Sequence, residues 1–148
     1  MWKDGIYDTL TGDTTLNALV PKTNIWYEDS PPDPSIAGKK QMPNVSFWSP
    51  GGMQPQFNAP AIAGSQYIDQ IQFQVDVFSE DPALTDAISK RIDKLLNLQI
   101  IALDTGICMR IMRTSPLEVL QQEKDPSEKN LDVWHTPLLY EYMSQRTL

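Results

Sequence analysis

The feature that most constrains this chain is the run from Tyr67 to Ser79, where Ile71, Phe73, Val75 and Val77 alternate with Gln70, Gln72, Gln74 and Asp76. A repeat of two is the period of a β-strand, and a strand with one apolar and one polar face belongs to an antiparallel sheet that packs on one side. At about 3.3 Å per residue the run would span on the order of 40 Å, well beyond a usual strand. Part of it is therefore expected to reach beyond its own domain. Directly after it, Asp81 and Pro82 supply an N-cap and a first-turn proline for a helix over Pro82 to about Asn97. That helix gathers Leu84, Ile88, Ile92, Leu95 and Leu96 within an arc of roughly 120°. Asp86 precedes Lys90 by one turn on the opposite side, a weakly favourable pair. A helix laid on a sheet follows.

The remaining elements are read in the same way. Trp2, Ile6 and Leu10 recur at helical spacing, with Gly12 as a stop, and a short helix from about Thr14 to Leu19 is capped by Asp13 and ended by Pro21. Asn24 to Glu28 holds Ile25, Trp26 and Tyr27, a β-favouring cluster that runs into the turn-rich Asp29 to Pro34. Pro43 to Ser49 is a second strand, with Val45, Phe47 and Ser49 on one face and Ser46 and Trp48 on the other. The stretch 50–65, with Gly51, Gly52, Pro55, Pro60 and Gly64, is a long irregular loop. Its Met53, Phe57 and Ile62 favour docking on a neighbour over a free loop.

Gly106 to Thr114 alternates Ile107, Met109 and Ile111 with Cys108, Arg110 and Met112 as a further strand. Pro116 to Lys129 reads as a charged connection with one helical turn at Leu117 to Gln121. The last strand, Leu131 to about Gln145, is apolar on both faces: Trp134, Leu138, Tyr140 and Tyr142 on one, Val133, Leu139 and Met143 on the other. Two apolar faces need two partners. Pro137 within it removes a ladder donor, so the strand is at an edge there or broken by a bulge. Together these elements make a single domain over 1–148 of the α+β class, a mainly antiparallel sheet with helices packed on one face.

Composition limits what such a domain does. With 41% hydrophobic and 21% charged residues the chain is ordinary for a globular protein. A net charge of -7, with no cluster of Lys and Arg, opposes tight nucleic-acid binding but suits a surface that DNA slides past. Apolar runs such as Leu98 to Leu103 fall far short of a membrane span, and Met1 to Leu10 lacks a signal core, so no membrane association and assembly in the cytoplasm are expected. The lone Cys108 has no partner for an internal disulfide.

No catalytic motif emerges. His135 is the only histidine, which rules out multi-histidine metal sites and leaves one imidazole for any nucleophile. Ser115, Ser127 and Ser144 lie in no Gly-x-Ser-x-Gly setting, and Gly51-Gly52 belongs to no phosphate-cradling loop. Neither cofactor nor catalytic residue is expected. A small-molecule binding domain or hydrolase built on Trp48, Trp134 and His135 is the alternative from another class.

The order of elements resembles the tail terminator and tail-completion, or head-to-tail joining, proteins of long-tailed bacteriophages. The resemblance is carried by Leu16 to Asp33, Met42 to Trp48, Tyr67 to Leu96 and the tyrosine-bearing Trp134 to Arg146. It implies a structural virion protein of the tail or neck, forming a homo-oligomeric, hexameric ring that ends the tail tube and docks a head-completion or neck protein. Double-stranded DNA would pass through its lumen without specific binding. In that setting Met53, Phe57, Ile62, Trp134, Tyr140 and Tyr142 are candidate interface residues, and Gln70, Gln72, Gln74 and Asp76 the candidate lumen face. Another neck adaptor or tail-tube ring differs only in where it binds.

Overall fold

The computed structural model describes residues 2–28, 41–49, 57–58, 66–102, 108–117, 120–124 and 132–147. The chain enters through α1 (Trp2–Thr11), whose Ile6 and Leu10 are buried one turn apart. It ends at Gly12, whose amide donates to the Asp8 carbonyl at 2.9 Å; a β-carbon there would lie 2.7 Å from that oxygen. Next, α2 (Thr14–Leu19) starts on Asp13, whose Oδ2 accepts from the Leu16 amide at 2.8 Å. A 3-10 turn at Lys22–Asn24 then leads into β1 (Ile25–Tyr27), and β2 follows at Asn44–Trp48.

Within the stretch expected to be an irregular loop, Phe57–Asn58 forms a two-residue strand, β3. It pairs with the next strand, β4 (Gln66–Ser79), through Phe57↔Ile68 and Asn58↔Tyr67. Met53, Ile62 and the turn at Asp29 to Pro34 lie outside the described residues. The helix α3 (Pro82–Leu96) has the expected Asp81 cap, which accepts from the Ala83 amide at 3.0 Å, and Asp86 and Lys90 pair at 2.9 Å on its exposed side.

Among the described residues three strands follow α3 before the last. Ile100–Ala102 forms β5 and Cys108–Arg113 forms β6. Gln121–Lys124 is β7, a strand inside the stretch expected to be a charged connection, beginning where the expected helical turn was to end. Its partner is β8 (Asp132–Thr147), with Gln121↔His135 through Lys124↔Asp132 in register. A row of polar side chains gives no period-two signal, so edge pairing alone makes this segment a strand.

The sheet runs in the order β1-β2-β4-β8-β6-β5, with β3 on β4 and β7 on β8. All pairs are antiparallel except β1 with β2. Its spine is the β4–β8 ribbon, in which every residue of β4 has a partner, from Gln66↔Thr147 to Ser79↔Trp134. The great length of β4 is thus matched by a strand of its own chain.

Pro137 is accommodated between neighbours. On the far edge of β8, β7 pairs residues 132–135 and β6 pairs residues 140–144. Leu139 turns its amide to Ser115 Oγ at 3.0 Å, and its carbonyl accepts from the Thr114 amide at 2.8 Å. Pro137, two residues earlier, aims its nitrogen the same way, into the gap between β7 and β6, where no ladder donor is required.

The helices share one face of this sheet. Ile88, Ile92 and Leu96 of α3 and Ile6 and Leu10 of α1 bury against Val45, Phe47, Phe73, Val75, Val77, Met109, Ile111, Leu138, Tyr140 and Tyr142. Trp2 extends the core, its ring 5.6 Å from Phe73 and 5.7 Å from Tyr142. Two ion pairs brace the layer: Arg91 holds Asp13 at 2.7 Å, and Arg113 holds Asp93 at 2.5 Å. The Asp93 carboxylate also accepts from the Tyr140 hydroxyl at 3.0 Å. Burial, together with that nearby carboxylate, pushes the Tyr140 phenol far above its ordinary value.

Candidate functional site

The register fixes what the helix-free face displays. Opposite Phe73, Val75 and Val77, the alternate positions Gln72, Gln74, Asp76 and Phe78 lie beside Glu141, Leu139, Pro137 and His135 of β8. On β2 the same face carries Ser46 and Trp48, and on β6 it carries Arg110 and Met112. The backbone of Gln70 pairs in register with Met143. Gln72, Gln74 and Asp76 share one face by strand pairing.

Asp76 stands apart from its neighbours, because only 6% of it is exposed. Trp48 Nε1 donates to Oδ2 at 2.6 Å, Gln74 Nε2 donates to Oδ1 at 2.7 Å, and His135 Nε2 lies 2.7 Å from Oδ1. The imidazole is stacked on Phe78 with centroids 4.3 Å apart. Burial alone would raise the Asp76 carboxyl, but the hydrogen bonds from His135, Trp48 and Gln74 outweigh it and leave the group below the usual aspartate range. A carboxylate so held is a poor proton acceptor near neutrality and a good clamp, because its three partners sit on β2, β4 and β8. Asp76 is thus held beneath Gln74 and is not a free surface charge, whereas Gln72 on the same face is exposed.

The other proposed residues are dispersed. Tyr140 and Tyr142, expected at an interface, are buried in the chain's own core, with Tyr140 5.4 Å from Phe73 in a stacked pair. The apolar alternation of β8 is explained on that side by α3. Trp134 is partly buried and in register with Ser79, and Phe57 belongs to β3. Of the alternative hydrolase set, Trp48 and His135 meet at Asp76. Trp134 differs by one strand position from His135 and so faces the opposite side. Among the described residues no group of three His, Cys, Asp or Glu is placed to hold a metal ion.

Two surface features escaped the sequence reading. At the β5 end, Leu98, Gln99, Ile100, Arg110, Met112 and Met143 line a groove of about 460 Å³, with Glu141 at its side. Leu98 is 75% exposed and holds a left-handed φ of 60° immediately after α3, a position that favours glycine. At the β1 end, a second groove of about 490 Å³ lies between α1 and β1, lined by Lys3, Tyr7, Lys22 and Trp26 among others. The Trp26 ring is 45% exposed. The signal for the first groove was present as the apolar run after Asn97, but nothing in that run tells an interior segment from an exposed one.

The fold is thus an α+β layer with a curled, mainly antiparallel sheet, and among the described residues no helix covers its second face. Among solved structures it is similar to a chain of the "Virion of native gene transfer agent (GTA) particle", with a TM-score of 0.59, covering 95% of this chain and 92% of that one. The two share 19% identity, so the likeness is one of fold. No protein-family model matches the chain, and no curated protein matches it in sequence.

Proposed function

We propose that this chain is a structural, non-enzymatic virion protein, a subunit of a hexameric ring that ends a phage tail tube and joins it to the head-completion complex at the neck. The observation that carries the reading is the fold shared, across nearly the whole of both chains, with a chain of a gene transfer agent virion. It agrees with the resemblance of the element order to tail terminators. The helix-free face supports it further: Gln72 and Gln74 lie there in register, and a ring lined by them would let DNA pass without drawing phosphates to cations. Asp76, held from behind that row, adds negative potential at short range.

The same virion likeness fits another ring of the neck or tail tube, and binding position separates the two. Purified protein mixed with tail tubes and imaged in negative stain is expected to form six-fold rings that cap one end of each tube. Rings that stack along the tube or bind both ends would instead assign a tube or adaptor role. A protein that forms no ring and leaves tubes bare would remove the proposal.

A further inference from the structure

The two open ends of the sheet differ in character. The path β1-β2-β4-β8-β6-β5 ends in two three-residue strands, and among the described residues no strand pairs with the outer edge of either. Unpaired edges seek partners. Beside β5 lies an aliphatic groove, with Leu98, Ile100, Met112 and Met143 all exposed and the Glu141 carboxylate beside them. Beside β1, the exposed Trp26 and Tyr7 rings are flanked by Lys3 and Lys22. Trp26 is oriented by its indole Nε1, which donates to the Thr23 carbonyl, so the ring is held on the surface in a fixed pose.

Leu98 adds an independent sign. Its backbone sits in the left-handed region, where a side chain is disfavoured, and its side chain finds little cover within the subunit. A glycine would hold the same turn with less strain. The turn is fixed from both sides, because the Leu98 amide donates to Ile111 O at 2.9 Å and the Ile111 amide donates to Gln99 O at 3.0 Å. Leucine at this position presents apolar surface outward on a rigid corner, which serves contact with another molecule.

We infer that the β5 groove receives the β1 end of a second copy of this chain, with Trp26 seated among Leu98, Ile100, Met112 and Met143. The inference rests on the ring reading above and names its contact. Chemistry favours this occupant on three counts. Thioethers of Met112 and Met143 pack well on an aromatic ring. The β1 groove carries Lys3, Lys22 and Asp4 and the β5 groove Glu141 and Arg110, so each side offers both signs for the other to match, a local attraction between copies that otherwise repel through their shared negative charge. Each strand edge that no described strand pairs with gains a backbone partner from the neighbouring copy. Because the two surfaces differ, the contact is head-to-tail, the kind that closes into a ring when the rotation permits.

Cysteine cross-linking tests this directly. In a Cys108→Ser background, the double variant Thr23→Cys with Gln99→Cys, which flanks the contact and keeps Trp26 and its four seat residues, is expected to give, on mild oxidation, a covalent ladder ending in a closed species, while each single variant stays monomeric on a non-reducing gel. Dimers from a single variant would mean a two-fold contact and overturn the inference. Leu98→Asp is expected to weaken self-association by about tenfold or more while leaving the melting transition cooperative. If wild-type and Leu98→Asp rings are equally stable and no ladder forms, the groove is not the subunit contact, though the ring stands. Leu98→Asp rings that form normally but no longer cap tail tubes would assign the groove to a tail protein, against this inference. A wild-type protein that is monomeric in light scattering and gives no ladder would remove both readings, whereas a ladder from such a monomer would keep this contact and count against a stable free ring.

Discussion

Three donors converge on Asp76, and that convergence makes one buried residue answer for the alignment of three strands. Replacing it with Asn removes the charge and leaves at least one of those donors without an acceptor. Hydrogen bonds to a charged group are worth about 1.5–3 kcal/mol each, so Asp76→Asn is expected to lose stability of that order in urea denaturation at pH 7. The sign with pH follows from the depressed carboxyl. Its contribution is fully present above the ordinary value of 3.8 and is lost as pH falls through the lower folded-state value. The gap between wild type and Asp76→Asn should therefore narrow below about pH 4. Asp13, drawn down mainly by its hydrogen bond from Arg91, loses its contribution in the same acid window in both proteins. A gap that stays constant down to pH 2 would show that Asp76 contributes by shape and not by charge.

At the scale of elements, α3 is the piece that turns a sheet into a domain. It packs across β4, β8 and β6, and Ile92 is fully buried at the middle of its apolar stripe. Ile92→Ala removes several buried methyl groups with little room for collapse and should cost about 2–5 kcal/mol in denaturant titration. Ile92→Asp buries an unpaired charge in the same place, and a chain that does not fold is the expected outcome. A soluble, cooperatively melting Ile92→Asp protein would contradict the placement of α3. The last strand was expected to carry two apolar faces toward two partners, and the structure divides them. Leu138, Tyr140 and Tyr142 are satisfied inside the chain's own core, while Leu139 and Met143 are exposed. Only the second set is left for a neighbour.

For the whole molecule, the open sheet face ties the proposed ring to DNA passage. The exposed Gln72 pairs across the strands with Glu141, so a lysine introduced at 72 alone would be neutralised by its neighbour. The informative variant is Gln72→Lys with Gln74→Lys, which raises the charge of the face by two in every subunit while leaving Glu141 in the proposed contact. Each phosphate it engages should steepen the dependence of log K on log salt by about 0.9. Salt-sensitive DNA binding with rings intact is the expected result, read by fluorescence anisotropy across salt concentrations. If assembly fails and no DNA is bound, the face is buried between proteins and the lumen lies elsewhere.

Much of the fold was legible because local chemistry and tertiary packing agree. Alternation in β4, the Asp81-Pro82 start of α3 and the Asp13 cap of α2 each express a preference that the fold then uses. The helix-free face was legible for the same reason: side-chain parity along a strand is set by the backbone. What the sequence could not express was who pairs with whom. Gln121–Lys124 is a strand only because β8 offers an edge, and Ile100–Ala102 only because β6 does. Pro137 reads as an interruption until its nitrogen is seen to face a gap between two partners. The clamp at Asp76 joins residues separated in the chain by 28 and by 59 positions, and no local pattern encodes such a meeting. Tyr140 and Tyr142 carry the composition of an interface, yet Asp93 of α3 meets the first and Trp2 of α1 the second. Sequence determined the periods, the caps and the faces, since these depend on neighbours a few residues away. Tertiary structure decided edges, clamps and which apolar surface stays open, since these depend on what else the chain brings to the same place.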